Sequence, residues 1–297
     1  QRIYYGDNIG KLLFLIQPEL NGENIAQFGP YAYRSNAASY LNLVWPLGLG
    51  LLIQLGRENL DYRKRRIGSG PELLLIPCII LAASGPFISS ARGGAFVMAG
   101  LLILVMISMM FLKVRTKFLR LSVLMTLIAG LGLAYYLGWE KLEHRLMNMD
   151  NMGNRIEIFD TTLKMIGEYP IFGSGPGSFE AIAQFELGET FNKWHSWVHN
   201  DYLEFLLTFG KPGLAILAAM IIVVSVQFFT IYFNESARHL RLYALISLVG
   251  VAMHTIVDFP LQVYSILSLI TLIIAIILTN PPYRPISKTL SGKQNSL

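Results

Sequence analysis

Seven apolar segments dominate this 297-residue chain, and each is long enough to cross a lipid bilayer as a helix. Of all residues, 53% are hydrophobic and only 14% are charged, whereas soluble domains carry about 25% charged residues. A backbone inside lipid must satisfy its own hydrogen bonds, and a helix does so within one segment. The sequence therefore predicts an all-α, polytopic transmembrane helical bundle. The predicted spans are 37–56, 71–90, 93–112, 121–138, 213–233, 242–259 and 263–280.

Basic residues are concentrated in alternate connections between these spans. If the seven helices alternate in direction, one side receives 57–70, 113–120, 234–241 and the tail after Thr279, which hold five, four, two and three of the 24 Lys and Arg residues. The positive-inside rule makes that side cytoplasmic. In a soluble protein the net charge of +5 would suggest a nucleic-acid partner. Here the charge fits membrane orientation, so we expect membrane lipid and no nucleic acid as a partner.

The outer side receives one connection that is large enough to build a site. We divide the chain into 1–138, with an N-terminal outer segment and four transmembrane helices, 139–212, the long outer loop, and 213–297, with three transmembrane helices and a cytoplasmic tail. In the loop, apolar residues at three- and four-residue spacing predict an amphipathic helix that ends near Pro170. This apolar stripe consists of Ile156, Phe159, Leu163 and Ile166.

The chain begins with Gln, with neither a start Met nor a signal peptide before it. We therefore expect it to be cut from a longer precursor. Its single cysteine, Cys78, cannot form an intramolecular disulfide.

Two histidines in the loop segment "WHSWVHNDYLEF" are four residues apart, a spacing that places His195 and His199 on one helical face. Three readings are open. Zinc ligands of the zincin type require a Glu directly after the first His, and Ser196 stands there instead. A hydrogen-bonded histidine among interfacial Trp and Tyr residues is the second reading. The third is a catalytic base, since His takes up a proton near neutral pH.

Three arginines are predicted on the outer side. Arg92 lies in the short turn "SSARGG", where small neighbours leave its guanidinium room to grip an anion with two hydrogen bonds. The alternative is an Arg that reaches to lipid headgroups. Arg155 begins the amphipathic helix and Arg34 precedes the first span. Their convergence with Arg92 on one anionic group is an assumption at this stage.

Two further motifs have both a functional and a structural interpretation. His254 and Asp258 are one helical turn apart near the outer end of the sixth span, where ionisable residues are costly and tend to be functional or paired with each other. The segment "GSGPG" (173–177) has the glycines of a phosphate cradle. No strand precedes it, however, so a tight turn is favoured.

Taken together, these motifs resemble those of the O-antigen ligase and polymerase superfamily of bacterial membrane proteins. "PIFGSGPGSFEAI" is followed about twenty residues later by "HNDYLEFLLTFGKPGL", similar to the family's glycine-rich turn and its helix that begins with His-Asn. "SSARGG", "GPYAYRSNAASYLNLVWPLGLGLL" and "HTIVDFPL" resemble its Arg turn, its Arg-Asn-rich span start and its late His-Asp span end. Family members have more spans than seven, so the resemblance also implies that N-terminal spans are missing from this sequence.

The resemblance implies a metal-independent glycosyltransferase without a cofactor, in the bacterial inner membrane, with its active site facing the periplasm. Its donor is a glycan on undecaprenyl diphosphate, and its acceptor is lipid A–core or another glycan. By this resemblance His199, Arg92 and Arg155 are the catalytic residues. Those expected to bind substrate are Arg34, Asn200, Tyr202, His254 and Asp258.

Several other functions remain open. An O-antigen or exopolysaccharide polymerase and a protein O-oligosaccharyltransferase belong to the same superfamily. A transporter of lipid-linked sugars also has many spans, but its ionisable residues are expected near the bilayer midplane. Here they lie at the outer helix ends and in the loop, which favours surface chemistry. A structural or signalling membrane protein has no positive support in the sequence.

Overall fold

The computed structural model describes residues 27–61, 71–111, 117–147, 152–169, 171–186, 196–232 and 238–279. Within these ranges the chain is helical, with no strand beyond an isolated bridge between Phe28 and Tyr31, which confirms the all-α class. Its helices are α1 (Arg34–Asp61), α2 (Leu75–Ile88), α3 (Arg92–Phe111), α4 (Lys117–Met147), α5 (Met152–Glu168), α6 (Phe179–Glu186), α7 (Asp201–Tyr232), α8 (Arg238–His254) and α9 (Tyr264–Leu278). Short 3-10 turns precede α2 and α9.

Four of the described helices are long and apolar enough to cross a membrane. They are Arg34–Gly56 in α1, Arg92–Phe111 in α3, Arg120–Met147 in α4 and Asp201–Thr230 in α7, and they correspond to four of the seven predicted spans. The other three predictions coincide with shorter helices, since α2, α8 and α9 have 14, 17 and 15 residues. At 1.5 Å per residue such helices are shorter than the ~30 Å hydrocarbon core. Seven spans therefore remain a prediction.

Helix α1 is central to the bundle and packs most extensively against α8 and α2. One apolar cluster joins it to α2, α3, α4 and α8, and a second joins it to α7, α8 and α9. The buried Asn42 side chain donates a hydrogen bond to the carbonyl of Gly94 at 2.9 Å, which connects α1 to the start of α3. These contacts fix the relative heights of the helix ends at which the candidate site forms.

A third apolar cluster lies in the segment predicted as the long loop. It is built by α5, α6, the first turns of α7 and Val198. The predicted amphipathic helix is present as α5, but its buried face differs from the predicted stripe. Ile156 and Leu163 are 57% and 54% exposed, while Ile158 and Met165 are buried. Of the predicted stripe, Phe159 and Ile166 pack against this cluster, so α5 buries only part of the stripe there.

The segment at 173–177 is a tight turn, with positive φ angles at Gly173, Gly175 and Gly177. It packs against a kink in α7 at Gly210, where φ is 62°. The amides of Ser174 and Gly175, which a phosphate cradle would direct at its ligand, donate instead to carbonyls of α7. The turn therefore holds the loop segment against α7.

Candidate functional site

The candidate site lies where helix ends from distant parts of the chain meet. Helices α1, α3, α5 and α7 begin at this end of the bundle, and α8 ends there. The hydrogen bonds that join them are Ser35 to His254, Arg92 to the Arg145 carbonyl, Arg155 to the Val257 carbonyl, and the Asp201 amide to the Thr255 carbonyl. Residues that are far apart in sequence are thus brought to one end of the molecule.

His199 and Asp258 form a hydrogen-bonded pair, with 3.1 Å between Nδ1 of His199 and Oδ1 of Asp258. Burial favours a higher pKa for Asp258, but the hydrogen bond and positive charge from His199 outweigh it and hold that pKa below its ordinary value. The ionised carboxylate can only accept, so Nδ1 of His199 carries the proton of this bond. The positive charge belongs to the imidazolium, the form that exists after His199 has taken up a proton. Before that step the imidazole is neutral and Nε2 keeps its lone pair, as a general base requires.

The backbone around His199 is held in an unusual conformation by the start of α7. His199 has a φ of 60° and lies before the helix rather than on it. Its predicted placement with His195 on one helical face was therefore wrong for His199, and His195 lies outside the described residues. Oδ1 of Asn200 accepts hydrogen bonds from the amides of Tyr202 and Leu203, the contacts of a helix N-cap. Asn200, predicted to bind substrate, thus uses this oxygen to cap α7.

Asp201 holds the segment that carries His199 against the segment that carries Asp258. It was not identified from the sequence. Its amide donates to the Thr255 carbonyl at 3.0 Å, and its Oδ2 accepts from the amide of Leu261 at 2.8 Å. These bonds clamp the start of α7 to both ends of the connection that carries Asp258. The side chain is buried, so the clamp is part of the folded interior.

Arg155 lies directly beside this pair. Its Nη1 donates to the Val257 carbonyl at 2.7 Å and its Nη2 to the hydroxyl of Tyr33 at 3.4 Å, while Nη2 lies 4.0 Å from Oδ2 of Asp258. The side chain is still 34% exposed, and a guanidinium has five N–H donors. Burial raises the pKa of Tyr33 to about 12, and the nearby Asp258 carboxylate acts in the same direction. Tyr33 is therefore a neutral phenol that orients Arg155.

Arg92 reaches the same end of the bundle from the start of α3. Its Nη1 donates to the carbonyl of Arg145 at 3.4 Å. A Cβ added to the next residue, Gly93, would lie 3.0 Å from the Val257 side chain and 3.6 Å from the His254 ring. Arg34 begins α1 and, like Arg155, interacts electrostatically with Tyr33. The structure thus brings all three predicted arginines to this region, together with Arg145, which the sequence did not single out.

His254 is placed beneath the exposed part of the site. Its Nε2 lies 3.1 Å from Oγ of Ser35, and both residues are buried. Among the described atoms, Nδ1 of His254 has no hydrogen-bond partner. His254 and Asp258 are joined through the backbone, since the Asp258 amide donates to the His254 carbonyl at 3.0 Å, while the Asp258 side chain faces His199 and Arg155. Ser35 also hydrogen-bonds to both side chains, so the two residues are paired through Ser35 rather than by a direct hydrogen bond.

Three aromatic rings stack beside His199, and we call them the aromatic stack. The Phe259 ring lies 5.3 Å from Trp197 and 5.5 Å from Tyr33, with interplanar angles of 18° and 10°. The His199 ring meets Phe259 edge-on at 5.0 Å. Phe259 is buried, whereas Trp197 is 36% exposed.

Tyr202, predicted to bind substrate, is 36% exposed. Its hydroxyl donates to the Ala252 carbonyl at 3.0 Å, so it links α7 to α8. In the described ranges no three His, Cys, Asp or Glu side chains gather as metal ligands. His195, which raised the question of zinc, lies outside those ranges.

Residues 77–218 match the family model described as O-antigen ligase. This region contains Arg92, Arg155, the 173–177 turn and His199, whereas Asp258 lies beyond it. Neither the search of curated proteins nor the search of solved structures found a match.

Proposed function

We propose that this chain, whose residues 77–218 match the O-antigen ligase family model, is a member of that superfamily and a membrane glycosyltransferase that moves a glycan from undecaprenyl diphosphate to an acceptor hydroxyl at the periplasmic face. The observation that carries the proposal is the His199–Asp258 pair, which lies beside Arg155 at the helix ends where Arg92 also lies. A base and cations side by side are what transfer from a diphosphate leaving group requires.

In the proposed reaction, the acceptor hydroxyl attacks the anomeric carbon of the donor sugar. The bond between that carbon and the diphosphate oxygen breaks, and undecaprenyl diphosphate departs with the electron pair. Nε2 of His199 takes the hydroxyl proton, and the Asp258 carboxylate stabilises the resulting imidazolium. General-base catalysis of this kind contributes about 100- to 10,000-fold in rate.

The arginines act on the leaving group. Negative charge grows on the departing diphosphate, so a positioned cation binds the transition state more tightly than the ground state. Arg155 is held by Tyr33 and the Val257 carbonyl, which fixes its guanidinium in advance. Arg92 is the second cation of this proposal, and Arg34 is a candidate contact to the donor.

The test uses a host from which the gene is deleted and then restored as wild type, His199→Ala or a control. His144→Ala is the control, because His144 is an exposed histidine of α4. At equal protein levels, we expect His199→Ala to lose surface polysaccharide and to accumulate undecaprenyl-linked glycan, while His144→Ala behaves as wild type. If His199→Ala restores the polysaccharide as well as wild type does, the mechanism is wrong.

The same experiment separates a ligase from a polymerase. A ligase defect leaves long, finished chains on the lipid carrier, since polymerisation precedes transfer to lipid A–core. A polymerase defect leaves single repeats on the carrier. Gel analysis of the extracted lipid-linked glycans therefore identifies the acceptor class.

A further inference from the structure

Trp197 is the most exposed ring of the aromatic stack, and neighbouring contacts hold its backbone in place. On one side, the Ser196 hydroxyl donates to Oε1 of Glu180 in α6 at 3.1 Å. On the other side, Val198 is fully buried in the third apolar cluster, and its amide donates to Oε2 of Glu204. The indole is thus presented from a fixed segment, so little conformational freedom is lost when a ligand covers it.

The indole of Trp197 and the imidazole of His199 are both partly exposed, and both lie against a single buried ring. Phe259 contacts both, at 5.3 Å and 5.0 Å between ring centres. Trp197 is 36% exposed and the His199 side chain 24%, whereas Phe259 is 8% exposed. Because both rings border Phe259, a sugar that places a hydroxyl at His199 has the indole within reach.

An aromatic ring face carries partial negative charge and attracts the partial positive charge of C–H groups. A pyranose ring presents several C–H groups on one face and hydroxyls around its edge. It can cover an indole and still donate a hydroxyl to a neighbouring base. Phospholipid acyl chains lack such hydroxyls and would offer Nε2 of His199 no hydrogen bond.

We propose that Trp197 is a saccharide-binding platform that holds the acceptor sugar while its hydroxyl meets His199. This inference rests on the proposed function, which makes the bound sugar the acceptor and His199 the base. Saccharide binding at Trp197 can nevertheless be measured without turnover. In this proposal Trp197 binds and orients the acceptor sugar, whereas His199 takes the proton of its hydroxyl. Loss of the indole should therefore affect acceptor affinity more than the chemical step.

The kinetic test compares Trp197→Ala, Trp197→Phe and the control Phe185→Ala, which removes an 86% exposed ring of α6. The acceptor KM is measured by varying rough lipopolysaccharide from the gene-deletion host with the lipid-linked donor from the same host at saturation. The donor KM is measured by varying that donor with the lipopolysaccharide at saturation. We expect Trp197→Ala to raise the acceptor KM about three- to tenfold, as loss of one aromatic contact would. The donor KM and kcat should stay near wild type, and Trp197→Phe and Phe185→Ala should keep most of the acceptor affinity.

Two results would overturn the platform. One is an unchanged acceptor KM in Trp197→Ala, including the case in which only protein yield falls, as expected for an interfacial anchor. The other is a rise in the donor KM instead of the acceptor KM.

A binding measurement separates this inference from the proposed function. The probe is core oligosaccharide released from the same lipopolysaccharide, titrated against His199→Ala with and without Trp197→Ala. Weaker binding without the indole supports the platform even if wild type transfers no glycan, in which case the proposed function alone fails. Equal binding by both variants, with transfer intact in wild type, overturns the platform alone.

Discussion

His199 combines an unusual backbone conformation with a charged partner. A non-glycine residue with positive φ costs about 1–2 kcal/mol, and such strain persists only where the surroundings over-determine it. Here the cap formed by Asn200 and the hydrogen bond to Asp258 provide that constraint. In return, the imidazole is held with Nδ1 against a carboxylate. A histidine that moved freely on a helix face would lose conformational entropy each time it took up this orientation for reaction.

Asp258→Asn tests whether that orientation matters. The Asn side chain has nearly the same shape, but it is neutral and cannot stabilise an imidazolium. We expect glycan transfer in isolated membranes to fall about 100- to 10,000-fold at unchanged protein level. Asp160→Asn, on an exposed position of α5, is the matched control and should behave as wild type. A fall of less than about threefold in Asp258→Asn would mean that His199 acts without its partner.

The same carboxylate predicts a pH dependence of stability. Asp258 has a lower pKa in the folded protein than its ordinary value, which is about 3.9. Its ionisation therefore stabilises the fold above that ordinary value, and this contribution is lost as the pH falls through the folded-state pKa. Thermal unfolding in detergent should show wild type more stable than Asp258→Asn at pH 7, with a smaller difference below about pH 4. A difference that grows on acidification would contradict the assignment.

At the level of elements, the kink of α7 and the 173–177 turn complete each other's hydrogen bonds. The kink at Gly210 disrupts the regular helical pattern, and the carbonyls of Leu207 and Thr208 accept from the amides of Ser174 and Gly175 at 2.8 and 3.0 Å. Buried carbonyls without partners would be costly. The 173–177 turn and the Gly210 kink are thus one structural unit, which connects the loop segment to α7.

Gly173→Ala and Gly177→Ala separate backbone strain from close packing. Both residues have similar positive φ angles, 75° and 70°, so both variants incur about 1–2 kcal/mol of strain. A Cβ on Gly173 would lie only 2.6 Å from the Leu207 carbonyl oxygen, whereas one on Gly177 meets nothing within 4 Å. We expect Gly173→Ala to lower the thermal unfolding midpoint clearly more than Gly177→Ala does. Equal midpoints would show that the turn and the kink do not pack as described.

Helix α5 shows what the periodicity of apolar residues can and cannot predict about one element. A three- and four-residue apolar spacing predicted a helix before Pro170, and α5 ends at Glu168. The face that α5 buries differs from the apolar stripe, because Thr162, a polar residue, lies at its centre. Its hydroxyl donates to the Ile158 carbonyl at 2.7 Å, so it is buried without an unsatisfied group. The periodicity of apolar residues cannot show that a polar side chain will be buried with its hydrogen bond made within the helix. It also cannot show where α6 and α7 will pack.

For the whole molecule, the motifs identified candidate residues but not their contacts. His199 and Asp258 were both named from sequence, yet their pairing depends on α7 and α8 meeting at one end through Asp201. No sequence motif marks Tyr33 or Arg145. Their place in the site follows from the hydrogen bonds that Arg155 donates to Tyr33 and Arg92 donates to the Arg145 carbonyl. Such long-range contacts follow from how all the helices pack, which a single sequence does not determine.

The direction of α7 through the bilayer links the candidate site to one side of the membrane. From Lys211 to Thr230 the helix is about 30 Å long, the thickness of the hydrocarbon core. Phe185 lies in the segment before its first end, and exposed Thr230 lies at its other end. The distribution of basic residues predicts that the first end is periplasmic.

Cysteine labelling in spheroplasts tests that sidedness in a Cys78→Ser background, since Cys78 is the single native cysteine. A membrane-impermeant maleimide should label Phe185→Cys in intact spheroplasts and Thr230→Cys only after the membrane is broken. The reverse pattern would place the His199–Asp258 pair on the cytoplasmic side. Lipid-linked glycans displayed to the periplasm would then be out of its reach, so the proposed reaction would fail together with the predicted orientation.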